Sequence, residues 1–118
     1  MPERLAEAAA AFVRRPVDVI ATFGTPASLA AKQATTTVPI VMISIGDPVR
    51  AGLVPNLARP GGNITGNTNI GPDVGAKRLQ ILKDAIPTVS RVAFLFNPDN
   101  ASNVLQFEEI QAAAPIWV

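Results

Sequence analysis

Residues 17–27, VDVIATFGTPA, decide the fold. Val17 to Phe23 is a short apolar run rich in β-branched residues, the pattern of a strand buried on both faces of a sheet. It breaks at Gly24-Thr25-Pro26, a turn that also opens a helix. Thr25 is the residue type that caps a helix N-terminus, and Pro26 suits the first helical position. A buried strand that passes through a glycine turn directly into a helix is the repeating unit of a parallel α/β sheet.

The flanking sequence extends this unit in both directions. Upstream, Pro2 to Arg14 reads as a helix, with Leu5 and Phe12 at helical spacing, Glu3 early and Arg14-Arg15 late. Pro16 stops it. Downstream, the helix that starts at the glycine turn runs to about Ala34. Ile40 to Ile45 (IVMISI) is a second buried-type strand, punctuated by Gly46-Asp47-Pro48. Pro48 to Ala58 fits either a short helix or an irregular loop, and Arg59-Pro60-Gly61-Gly62-Asn63 is the strongest breaker in the chain. Ile64 to Ile70 (ITGNTNI) alternates like a strand but holds two Asn and a Gly, which predicts an edge or crossing strand. Asp73 to Ile86 is an amphipathic helix with Val74, Leu79, Leu82 and Ile86 on one side. Val89 to Phe96 (VSRVAFLF) reads as a third buried strand, and a last helix spans about Ala101 to Ala114 before Pro115 breaks it. Trp117 reads as a hydrophobic anchor. Strands alternating with helices predict an α/β fold, a parallel sheet with helices on both faces.

Composition narrows the chemistry. The chain has 118 residues, 48% hydrophobic, with ten Lys/Arg against nine Asp/Glu and a formal net charge of +1. That balance produces no field suited to nucleic acid or an anionic membrane. The absence of Cys, His and Tyr excludes disulfides, thiolate nucleophiles, imidazole-based triads and His- or Cys-ligated metals. No catalytic residue, metal site or cofactor fingerprint is expected. Gly61 to Gly66 is glycine-rich but precedes a strand and lacks the lysine of a phosphate loop. Met1 to Arg4 does not begin a secretory leader, and no run reaches the ~18 apolar residues of a membrane span.

Ligands of open parallel sheets bind beyond the carboxyl ends of the strands. Gly24-Thr25-Pro26-Ala27, Gly46-Asp47-Pro48 and Asn97-Pro98-Asp99-Asn100 occupy such positions. The first can present helix N-terminal N–H groups to an anion such as a carboxylate, with hydroxyls from Thr25 and Ser28; alternatively, Thr25 only caps its helix. Asp47 either accepts from a ligand amine or caps the following turn. Asn67 and Asn69, two apart, point to one face if they lie on a strand. Asn97 is either a turn residue or a ligand contact.

The succession VDVIATFGTPASLAAKQAT, TTVPIVMISIGDPVRAGLVPNLARPGGNITG and AKRLQILKDAIPTVSRVAFLFNPDN resembles the periplasmic substrate-binding proteins of bacterial ABC transporters. The group is the tryptophan/tyrosine-type one, with the type I two-lobed, Rossmann-like fold. The resemblance runs from about Leu5 to Ala114 and rests on the ordered set GTPA, GDPV with GLV, LARPGGNITG and NPDN. It implies a truncated binder of about one third of the family's length. Residues 1–70 would be the later half of the first lobe including its crossing strand, and 71–118 the opening helix–strand–helix of the second. It also implies a small amino-acid-like carboxylate as ligand, bound through Gly24, Thr25, Pro26, Ala27, Asp47, Asn67 and Asn97. No cofactor is implied; an ABC permease is the implied partner and the periplasm the location, although the chain carries no signal peptide or lipoprotein Cys. A sheet cut in this way exposes apolar strands, so a homo-oligomer is expected. A self-associating α/β remnant without ligand binding is the alternative, and a doubly wound enzyme the least favoured reading.

Overall fold

A computed structural model describes residues 2–69 and 74–114. The chain divides into two compact units, 1–69 and 70–118.

In the first unit, α1 (Pro2–Val13) is followed by β1 (Ile20–Phe23), α2 (Thr25–Ala34), β2 (Ile40–Ile45) and β3 (Ile64–Thr68). The three strands form one parallel sheet in the order β1-β2-β3. Register places Ile20, Ile40 and Ile64 in one row and Thr22, Met42 and Gly66 in the next row on the same face. Ile20, Ile40, Met42 and Ile64 are buried, and α2 packs on this face, with Ala31 almost wholly enclosed. This is an α/β fold with a parallel sheet flanked by helices, matching a fragment of the type I periplasmic-binding fold.

Two strand readings need correction. β1 begins at Ile20 rather than Val17, because the Val17 N–H donates to the Arg15 carbonyl and holds the chain in a turn. The strands are also buried on one side and not on both: Phe23 is 74% exposed, and Val41 and Ile43 on the same side are exposed too. Two-sided burial needs a second covering layer, which the chain around β1 and β2 does not supply.

The link between β2 and β3 is an irregular loop, not a helix. Asp47 organises its start, and Leu53 and Val54 fold inward beside Pro48, whose carbonyl accepts from both of their N–H groups. This loop therefore completes the core where a crossover helix would ordinarily lie. Lys32 reaches across from α2 to the Gly52 carbonyl. Asn63 fixes the entry to β3 by donating to the Thr35 and Val38 carbonyls at 3.3 and 2.8 Å.

In the second unit, α3 (Gly75–Ala85) and α4 (Ala101–Ala113) flank an extended segment. The predicted strand Val89–Phe96 is not a strand here. Its residues are extended but join no ladder among the described residues, and apolar sequence cannot make a strand without a neighbour to pair with. Its alternation survives nonetheless. Phe94 and Phe96 both meet Phe107 of α4, at ring-centroid distances of 5.9 and 4.9 Å, while Leu95 between them is 99% exposed. Gly75 lets α3 approach α4 closely, since a Cβ there would stand 3.0 Å from Ile110. Asn100 caps α4 by accepting from the Ser102 N–H at 3.0 Å. Of the remaining sequence expectations, the end of the crossing strand at Ile70, the start of a helix at Asp73, and the Pro115 break with Trp117 lie outside the described residues.

Candidate functional site

The carboxyl ends of β1, β2 and β3 bring most of the candidate residues into one unit. Gly24, at φ 80 and ψ 162, turns the chain from β1 into α2 within a single residue. That conformation suits glycine and few others. Gly24 also keeps the sheet intact, because its N–H donates to the Ile43 carbonyl at 3.0 Å.

The cap of α2 differs from the sequence expectation by one residue. Thr25 is the first helical residue and Gly24 the N-cap, so Pro26 takes the second helical position and no side chain caps the helix. Pro26 has no N–H, and the first turn carries no acidic side chain. The positive end of the helix dipole is thus uncompensated within its own first turn. Thr25 is buried at 2% exposure, whereas Gly24, Pro26 and Ala27 keep partial access to solvent. Ser28, read from sequence as a further hydroxyl donor, is fully buried. Its Oγ donates to the Gly24 carbonyl at 2.9 Å and lies 2.7 Å from the Thr22 hydroxyl. It braces the turn from inside.

Asp47 follows β2 and acts on its own loop. Its Oδ1 accepts from the N–H groups of Val49 and Arg50 at 3.0 and 2.9 Å, which is the capping role. Its side chain is only half-buried, so the carboxylate retains an accessible side.

Asn67 is explained by an irregularity that the sequence did not announce. The β2–β3 register shifts between Met42 and Ile45, giving β2 one residue more than β3. Ser44 sits in this bulge at φ 58, the single non-glycine with positive φ among the described residues. A bulge leaves a ladder N–H without its usual partner, and the Asn67 Oδ1 accepts that of Ser44 at 3.0 Å. Asn69 donates to the Ser44 Oγ at 3.0 Å, so both asparagines act on the same residue from one side of the strand. Their spacing announced the shared face; Ser44 itself carries no sequence signal beyond its place before Gly46.

Asn97 belongs to the second unit. It makes a turn, accepting at Oδ1 from the Asp99 N–H at 3.0 Å, and its carbonyl accepts from Asn100. Gly24, Thr25, Pro26, Ala27, Asp47 and Asn67 are therefore grouped at the strand ends of the first unit, while Asn97 stands at the end of the extended segment of the second. No cluster of metal-ligating side chains occurs among the described residues. Nor is any helix among them long and apolar enough to cross a membrane.

Comparison with known proteins gives a consistent result. A tyrosine-binding protein of Clostridioides difficile is 33% identical over 103 residues, which is 86% of this chain and 29% of that protein. The crystal structure of a conserved domain protein from Vibrio cholerae matches with a TM-score of 0.91 and 32% identity, over 98% of this chain and 38% of the other. An ABC domain from Streptococcus pneumonia, solved in complex with L-Trp, matches with a TM-score of 0.89 and 28% identity, over 98% and 39%. The chain thus spans well under half the length of these relatives. Residues 1–116 match the family described as ABC transporter substrate binding protein, a non-catalytic family. The chain belongs to the ABC transporter substrate-binding protein family.

Proposed function

We propose that the chain is part of the solute-binding component of an ABC importer, working in the periplasm and delivering an aromatic amino acid to a cognate permease. The observation that carries this reading is the start of α2. A helix N-terminus stands at the carboxyl end of a parallel strand, with no side-chain cap and no acidic residue in its first turn. Such an end suits a carboxylate. The ligand class is supported by the relatives, one a tyrosine-binding protein and one holding L-Trp.

In this reading Gly24, Thr25, Pro26 and Ala27 receive the ligand carboxylate. The exposed side of Asp47 meets its ammonium group, and Asn67 supplies a polar contact. No covalent chemistry takes place; binding and release suffice. A panel of L-Trp, L-Tyr, L-Phe and their decarboxylated amines, followed by thermal shift and calorimetry, tests the assignment. The expected result is a rise in melting temperature for the amino acids alone, lost in Thr25→Val and weakened in Asp47→Ala. A panel that leaves the folded chain's melting temperature unmoved refutes ligand binding by this chain.

A second reading is favoured by the open side of the sheet, where Phe23, Val41 and Ile43 are exposed. Apolar strand surface of this kind promotes association, so the chain forms a homo-oligomer. Light scattering after gel filtration checks this. A monomer at micromolar concentration refutes it.

A further inference from the structure

The second unit contains a groove of about 730 Å³ between α3, α4 and the extended segment. Small-molecule sites have volumes of about 300–1,000 Å³ and are lined mainly by apolar and aromatic side chains with a few polar groups among them. Here Leu79 and Leu82 of α3, Val92 and Phe94 of the extended segment, and Phe107 and Ile110 of α4 supply the apolar lining. The Phe94 and Phe107 rings are stacked, 5.9 Å apart and 19° from parallel, which makes one wall aromatic.

The charge on this groove has one sign. Arg78 and Lys83 line it, and among the described residues no Asp or Glu does. Successive helical residues turn by about 100°, so the order around the α3 axis is Arg78, Leu82, Leu79, Lys83. The two cations therefore flank the apolar stripe, one on each rim. Lys83 is held there by the extended segment, because its Nζ donates to the Val89 carbonyl at 2.8 Å. That bond uses one of the three donors of an ammonium group.

We infer that this groove binds a small amphipathic carboxylate, with its apolar body on the leucine and phenylalanine walls and its anion at the cationic rims. The same lining selects against an amino acid. An ammonium group would meet no carboxylate on these walls and would stand beside two like charges, whereas a carboxylate without an amine avoids that repulsion. The inference is independent of the strand-end assignment, since it involves none of the residues proposed to bind there.

Octanoate is the probe, with octanol and octylamine as neutral and cationic analogues of the same chain. Each is titrated into the full chain and followed by amide NMR, which locates binding as well as measuring it. The parent is compared with Arg78→Gln/Lys83→Gln. Arg78 is exposed and Lys83 half-buried, so this change opens no packed core, and circular dichroism checks that the helices persist. Octanoate should saturate one site, with the largest shifts around Leu79, Leu82, Phe94 and Phe107. It should bind at least about tenfold more tightly than octylamine, the difference that one charge-assisted hydrogen bond makes. The double substitution should weaken octanoate by about tenfold and leave octanol within about twofold. Val92→Glu, at an exposed position on the wall, supplies a second variant that should weaken octanoate and tighten octylamine. Equal affinity for octanoate and octylamine overturns the inference, as does octanoate binding indifferent to both variants. Shifts centred on Phe23, Val41 and Ile43 overturn it by placing the probe on the open side of the sheet. So does an affinity that falls as the protein is concentrated, because a second copy is then the occupant. Absence of saturable binding overturns it outright.

Discussion

Replacing Gly66 by alanine is the sharpest available test of the sheet geometry. Gly66 lies on β3 opposite Met42, with φ 147, and a Cβ built on it would stand 2.0 Å from the Met42 carbonyl oxygen and 2.6 Å from its Cγ. An acceptable carbon–oxygen approach is about 3.3 Å or more, so β3 would have to retreat from β2 by about 1.3 Å. A ladder bond of ordinary length then opens beyond hydrogen-bonding range. Overpacking costs about 1–3 kcal/mol, a positive φ on a non-glycine about 1–3 kcal/mol, and each opened ladder bond about 1 kcal/mol. We expect Gly66→Ala to destabilise the first unit by about 3–7 kcal/mol, at the diagnostic end of single substitutions. For a unit of this size the melting temperature falls by at least about 12 °C. Differential scanning calorimetry supplies the measurement, and Gly62→Ala the control. A Cβ at Gly62 meets nothing within 4 Å, so its effect stays within about 0.5 kcal/mol. If Gly66→Ala melts within about 2 °C of the parent, the β2–β3 pairing described above is wrong.

Two further substitutions probe the polar bracing of the same unit. Ser28→Ala removes the partner of the buried Thr22 hydroxyl and one acceptor contact of Gly24. A loss of about 1–3 kcal/mol is expected in urea unfolding, partly recovered in Thr22→Val/Ser28→Ala, where neither hydroxyl is left unpartnered. Asn63→Ala removes the donor to the Thr35 and Val38 carbonyls. It should cost about 1–2 kcal/mol and speed amide exchange at Ile40, whose N–H donates to the Asn63 carbonyl. Unchanged exchange there would mean that the side chain does not hold the β3 entry.

What was legible in the sequence follows from which interactions are local. All four helices start or stop within a residue or two of expectation, because Pro16, Gly24 and Asn100 act on the backbone beside them. IVMISI was readable as β2 from β-branching and run length alone. Val89–Phe96 carried the same signal and makes no strand, since pairing depends on a partner that composition cannot reveal. The one-sided exposure of Phe23 was hidden for the same reason. At the site, position at strand ends was visible, whereas function within the fold was visible only for Asp47. Asn67 answers a bulge at Ser44, Asp47 caps its own loop, and Ser28 faces inward. The Asp47 cap is local, reaching only two and three residues on, and it stands among the sequence expectations; the other two roles depend on registers and burial that arise only when distant segments meet.

The two outer strands of the sheet are unequal in a way that gives the unit a polarity. β3 is blunted: its sequence ITGNT is polar beyond Ile64, its pairing is bent by the bulge, and its asparagines point their amides at β2. β1, with the sequence IATF, has no charge, no proline and no bulge, and it pairs only with β2 among the described residues. Natural sheets discourage unwanted growth at irregular, bulged edges, and of the two edges only that of β3 pairs through such an irregularity. An added strand, from whatever source, therefore has one favourable point of entry, alongside Ile20 to Phe23. The sheet is a surface with a closed side and a growing side.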